Sequence, residues 1–156
     1  MYKTDIFGRE QKYIDTSLNI LIVDDDSNSG NALKNMLENR GHNITVIDES
    51  MKCLNKCFTN NYDIIFMDYH IDGDMNGCEI IELIQNENSN IYMYTADNSH
   101  DIISKIKKNN INGAFIKPIS PELVTKFISA IEIKKNNKYF SNLAMKNKNF
   151  IFFKKS

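Results

Sequence analysis

The chain has 156 residues, 42% of them hydrophobic, which is enough for one domain with a core and too few for two ordinary ones. Its formal net charge of -1 excludes a general electrostatic attraction to nucleic acid or membrane. Three cysteines, an odd number, argue against a secreted disulfide scaffold, and no apolar run reaches membrane-spanning length.

The N-terminal stretch MYKTDIFGREQKYIDTS is polar and lacks an apolar signal core, so residues 1–17 read as a polar extension and a cytoplasmic location is expected. Asn19-Ile20-Leu21-Ile22-Val23 reads as a buried strand that stops at Asp24-Asp25-Asp26. Ser27, Asn28 and Ser29 offer helix N-caps, Leu33, Met36 and Leu37 mark one helical face, and Gly41 supplies a C-cap. Residues 44–47 form a second strand, and Met51, Leu54 and Phe58 define a second helix face. Cys53 and Cys57 lie four apart on that helix and read as reduced, buried thiols.

A third strand covers residues 63–67 and ends at Asp68. The loop YHIDGDMNG carries turn signals at Asp72-Gly73 and Asn76-Gly77 and leads to a helix using Ile80, Ile81, Leu83 and Ile84. Residues 91–95 make a fourth strand, Ile102, Ile103 and Ile106 an inward helix face, and residues 114–117 a fifth strand. Ser120 and Pro121 start a last helix whose stripe is Leu123, Val124, Phe127, Ile128 and Ile131. No acid follows Glu132. Residues 1–132 hold a net charge of -8, and seven lysines lie beyond them. The organisation expected is therefore a polar extension at 1–17, one domain at 18–134 and a basic, Lys/Asn-rich tail at 135–156, with no DNA-binding domain in the chain.

Five βα units with short connections imply an α/β fold, a parallel sheet with helices on both faces. In such sheets the ligand crevice lies outside the carboxyl ends of the strands. The residues at the ends of the first, third, fourth and fifth strands are Asp24-Asp25, Asp68, Thr95 and Lys117. Two carboxylates about 4 Å apart repel by roughly 4 kcal/mol at an effective dielectric of 20. Three together call for raised pKa values or a cation, and Mg²⁺, hard and oxygen-seeking, is the natural one. Lys117 and Thr95 could then hold phosphoryl oxygens.

ILIVDDD, DIIFMD, YTA and FIKP, at successive strand ends, resemble the receiver domain of two-component response regulators over residues 19–133. The resemblance implies a flavodoxin-like (βα)5 doubly wound fold with a five-stranded parallel sheet in the order 2-1-3-4-5. It implies that Asp68 is the phosphoacceptor, that Asp25 ligates Mg²⁺ directly with Asp24 acting through water, and that His70 lends a backbone carbonyl to the metal. It further implies that Thr95 moves onto the phosphoryl group, that Lys117 pairs with it, and that the Lys117–Pro118 bond is cis. The expected partners are a histidine kinase or histidine phosphotransfer protein and an unidentified downstream protein. The expected role is a stand-alone receiver, not a turnover enzyme, that signals by conformational change or passes the phosphoryl group on.

Three positions depart from the family pattern. Asp72 stands where proline is common, the loop after Asp68 is one residue longer, and Ala114 replaces a frequent Tyr or Phe. Phe115, one residue later, should face the opposite side of the sheet. The alternative is a degenerate receiver acting as a phosphorylation-independent interaction module; such receivers usually lose the acceptor, the acid pair or the lysine, and all are present here. A haloacid-dehalogenase-like phosphatase, with Asp24 and Asp26 as its DxD pair, would need acids beyond the lysine. Only Glu122 and Glu132, both within a helix, follow it. The basic-aromatic end of the chain reads as a solvated, Asn/Lys-rich extension whose aromatics pack locally or onto the acidic body, rather than as a nucleic-acid or membrane grip.

Overall fold

The computed structural model describes residues 2–4, 8, 10–12, 17–84 and 90–153. In chain order the elements are β1 (Tyr2–Thr4), β2 (Glu10–Lys12), β3 (Asn19–Val23), α1 (Ser27–Glu38), β4 (Asn43–Ile47), α2 (Ser50–Thr59) and β5 (Ile64–Met67). They continue as α3 (Gly77–Ile84), β6 (Asn90–Thr95), α4 (His100–Lys107), β7 (Gly113–Ile116), α5 (Pro121–Glu132), α6 (Asn137–Lys146) and β8 (Phe150–Phe152). β1 and β2 pair as an antiparallel ribbon within the segment expected to be a plain extension.

The main sheet runs β4-β3-β5-β6-β7-β8. Its first five strands are parallel, in the order expected, and place Val23 beside both Ile47 and Met67. Both faces are covered. Ile20, Ile22, Ile64, Phe66, Tyr92, Tyr94 and Phe115 pack toward α1 and α5, while Leu21, Val23, Ile65, Met67, Met93 and Ala114 pack with residues of α2, α3 and α4. That period-2 division follows from the pleat, which sends successive side chains to opposite faces. Phe115 and Ala114 do face opposite sides, as the alternation requires.

The expected five-stranded, wholly parallel sheet needs correction. β8 adds a sixth strand antiparallel to β7, with Gly113 opposite Phe152, Ala114 opposite Ile151 and Phe115 opposite Phe150. The described part of the basic tail, residues 135–153, is not a solvated extension: it forms α6 and β8, while its aromatics pack onto the body of the domain, as expected. Phe140, Leu143 and Phe150 are buried in the same core as Phe115 and Phe127. Phe150 stacks on Phe115 at 4.7 Å between ring centroids, and Phe152 stacks on Phe140 at 5.5 Å. Lys135, Lys138, Lys146 and Lys148 stay exposed while the rings between them turn inward, which an average over composition conceals. Gly113 permits the close approach: a Cβ there would collide with the Ile151 carbonyl oxygen.

Smaller corrections have local causes. The N-cap of α1 is Asp26, whose carboxylate accepts from the Asn28 and Ser29 amides, rather than Ser27, Asn28 or Ser29. Asn39, not Gly41, caps the C-terminus of α1, while Gly41 takes a positive φ of 87° in the following turn. Met51, Phe58 and Leu83 are exposed, so these helices bury narrower stripes than their apolar content suggested. The three cysteines are free, with Cys53 and Cys78 buried and Cys57 half-buried. Ser120 caps α5 with Pro121 in its first turn, as expected.

His42 offers a stability test. Its Nδ1 accepts from the Leu18 amide at 3.0 Å, which leaves the proton on Nε2, 3.7 Å from Glu132. Burial lowers its pKa below the ordinary 6.5; Glu132 and Asp63 oppose that and Arg40 reinforces it. Below pH 6.5 the unfolded chain therefore takes up a second imidazole proton more readily than the folded one, so the contribution is full above 6.5 and lost as the pH falls. Denaturant midpoints of wild type and His42→Gln, compared at pH 7.5 and 5.5, should show a steeper acid-side loss in wild type. Equal slopes would remove His42 as a cause.

Candidate functional site

The crevice at the carboxyl ends of β3, β5, β6 and β7 collects the residues singled out from the sequence. Asp24 follows β3 and is completely buried. Its Oδ1 accepts from the Asp26 amide at 2.9 Å, and its Oδ2 accepts from Lys117 Nζ at 2.8 Å. Asp68 follows β5 and is 6% exposed. Its Oδ2 accepts from Lys117 Nζ at 2.9 Å, and its Oδ1 accepts from the His70 amide at 3.3 Å. Lys117 thus bridges two buried carboxylates, and its Nζ also lies 4.4 Å from the centroid of the Tyr94 ring. Thr95, at the end of β6, is buried, accepts from the Asp97 amide, and sets its hydroxyl against the Asp68 carboxylate.

Charge is unevenly settled here. Burial raises the Asp68 pKa, and the bonds from Lys117 oppose that rise. Burial also raises the pKa of Asp25, helped by the nearby charges of Asp72 and Asp24. Burial disfavours the Lys117 ammonium, but its bonds to Asp24 and Asp68 outweigh that and leave its pKa raised. Carboxylate oxygens of Asp24, Asp25 and Asp68 lie within 4.8 Å of one another. Three carboxylates against one ammonium leave a local excess of negative charge, presented as hard oxygen donors. That donor set fits Mg²⁺, which takes oxygen ligands and is held by few carboxylates.

Two backbone features shape the crevice. The Lys117–Pro118 bond is cis. Gly77 begins α3 and donates its amide to the Tyr69 carbonyl at 2.8 Å; a Cβ on it would collide with the Asp68 carbonyl oxygen. The loop behind Asp68 can therefore pack against α3 only where that helix starts on glycine.

Asp24, Asp25, Asp68, Thr95 and Lys117 come together as anticipated. The His70 backbone is tied to Asp68 through its amide, whereas its exposed side chain turns to Asp97, with Nε2 2.9 Å from Oδ2. Sequence reasoning missed Tyr94, whose ring faces Lys117 and whose hydroxyl pairs with the Ser29 hydroxyl at 3.0 Å. Alternation along β6 could have placed it on the α1 side. It also missed Asn149, which bonds to the carbonyls on either side of Lys117.

Comparison with known proteins agrees with this geometry. A family model described as the response regulator receiver domain matches residues 20–129. The chain is 26% identical to the chemotaxis protein CheY of Pseudomonas aeruginosa over 119 residues, covering 73% of this chain and 95% of that protein. It is 28% identical over 138 residues to the transcriptional regulatory protein ComA of Bacillus subtilis, covering 83% of this chain but 64% of that protein. Among solved structures, a two-component response regulator from Clostridium difficile superposes with a TM-score of 0.69 at 25% identity, covering 78% of this chain and 99% of the other. A CheY-like receiver domain protein from Methanospirillum hungatei gives a TM-score of 0.69 at 21% identity, covering 76% and 96%.

Proposed function

This chain belongs to the response regulator receiver domain family of two-component signalling, and from that premise we propose that Asp68 accepts a phosphoryl group from a histidine kinase or histidine phosphotransfer protein in a Mg²⁺-dependent reaction. The observation that carries the proposal is the Lys117 ammonium, bonded at once to Asp24 and Asp68 beside the exposed Asp25.

An Asp68 carboxylate oxygen attacks phosphorus; the new P–O bond forms as the P–N bond to the donor imidazole breaks, and the imidazole takes up a proton. Lys117, already held at Asp68 Oδ2, pairs with an oxygen of the incoming group, and the Thr95 hydroxyl donates to another. Asp24, Asp25, Asp68 and the His70 carbonyl would hold the cation. When bound, Mg²⁺ offsets the charge of the carboxylates and of the phosphoryl oxygens. The role that follows is that of a signalling domain rather than a turnover enzyme. Its output is a shape change in the segment after Thr95 or onward transfer of the phosphoryl group.

The test is incubation with acetyl phosphate, with and without Mg²⁺, followed by intact-mass analysis. Formation of a single hydroxylamine-labile adduct only with Mg²⁺ is the expected result; no adduct under either condition would overturn the proposal. Metal binding is read separately by melting. Mg²⁺ at millimolar concentration should raise Tm, because it binds a carboxylate set assembled only in the folded state. Asp25→Asn should lose most of that rise, and an undiminished rise would place the metal elsewhere.

A further inference from the structure

Lys117 is held at both ends, and only one end belongs to the acidic crevice. Its ammonium is bonded to Asp24 and Asp68. Its backbone is held from two directions. From β6, the Thr95 carbonyl accepts the Lys117 amide at 2.9 Å. From the C-terminal segment, the Asn149 carbonyl accepts the Ile116 amide at 2.9 Å, and the Asn149 side-chain Nδ2 donates to the Ile116 carbonyl at 2.9 Å and to the Pro118 carbonyl at 2.6 Å. Asn149 therefore contacts the residue before Lys117 and the residue after it.

Asn149 is itself well anchored. The next residue, Phe150, is buried and stacks on Phe115, and its amide donates to the Asn147 carbonyl at 3.1 Å. The Asn147 side chain in turn donates to the Leu143 carbonyl at the end of α6. On the opposite face of the sheet, Ile151 lies beside Ala114 in register and packs against the cluster that holds Ala114, Ile102 and Ile106.

We infer that Asn149 is a positioning residue for Lys117: the C-terminal strand sets the backbone from which the lysine reaches Asp68. The inference rests on the reading of Asp68 as phosphoacceptor. An amide side chain suits the task because its two N–H groups can serve two carbonyls at once, and an aspartate of the same shape would only accept. Reaction rates are sensitive to displacements of about 1 Å in a charged group near the reacting atoms.

The test compares wild type, Asn149→Ala, Asn149→Asp and Asn147→Ala. Asn147→Ala loosens the same segment without touching residues 116–118. Initial rates of Asp68 phosphorylation by acetyl phosphate are measured at saturating Mg²⁺, at a temperature where all four proteins are folded. Both Asn149 variants should slow the reaction about tenfold, while Asn147→Ala stays within about twofold of wild type. A wild-type rate in Asn149→Ala, or an equal loss in Asn147→Ala, would overturn the inference.

A second readout separates this result from the assignment of Asp68. In the unphosphorylated proteins, the backbone amide and Nζ resonances of Lys117 should shift in both Asn149 variants and not in Asn147→Ala. Such shifts in a protein that takes up no phosphoryl group would support the positioning contact and reject the acceptor. Unchanged Lys117 resonances would reject the positioning contact whatever Asp68 does.

Discussion

Replacing Asp68 with asparagine should abolish phosphoryl incorporation, lowering the rate by roughly 10³-fold or more, the scale expected when a nucleophile is removed. The amide has nearly the shape of the carboxylate, and its oxygen can still accept the His70 amide, so the loop after β5 should keep its course. What disappears is the charged oxygen that attacks phosphorus. The variant should also fold well. It removes one of three clustered carboxylates while Asp24 keeps its own bond to Lys117. Intact mass after acetyl phosphate and Mg²⁺, together with a melting curve, separates lost chemistry from lost fold. Incorporation by Asp68→Asn at the wild-type rate would move the acceptor to another residue.

The second large effect concerns stability. Phe150→Ala should cost about 3–5 kcal/mol, as for large aromatic-to-alanine changes in a core. The ring is 2% exposed, stacks on Phe115, and lies within 6.4 Å of Tyr92 and 5.9 Å of Phe127, centroid to centroid. Such a loss is a large part of the 5–15 kcal/mol that holds a typical domain, and should lower Tm by roughly 10 °C. Phe58→Ala is the contrasting control, since that ring is 70% exposed on α2 and should change stability by about 0.5 kcal/mol or less. Chemical denaturation of both variants checks the pair. Equal, small losses would mean that the C-terminal strand contributes little to the fold.

These two residues also mark how far the sequence could be read. Asp68 was legible because it directly follows a four-residue strand, Ile64–Met67, whose apolar run is visible without any partner. Asp24, Thr95 and Lys117 were legible for the same reason, each adjoining the end of a parallel strand. Phe150 was not. Three residues make a strand too short to declare itself, and their stabilisation comes from rings on Phe115 and Phe127, which are remote in sequence. Helix faces were read too broadly for a related reason: Met51, Phe58 and Leu83 are apolar, yet all three are exposed, because no other element among the described residues covers them.

By itself, then, the sequence determined the five parallel βα units, the opposite facing of Ala114 and Phe115, and the identity of the residues in the crevice. Each of these depends on local periodicity and on the rule that parallel strands deliver their ends to one side of a sheet. Only the tertiary structure decided that Lys117 bridges Asp24 and Asp68, that Tyr94 backs the lysine, and that the basic segment closes the sheet edge with Asn149 against residues 116–118. Those contacts join residues 23 to 93 positions apart, and their energies come from burial and from paired charges, which exist only once the chain has closed around them.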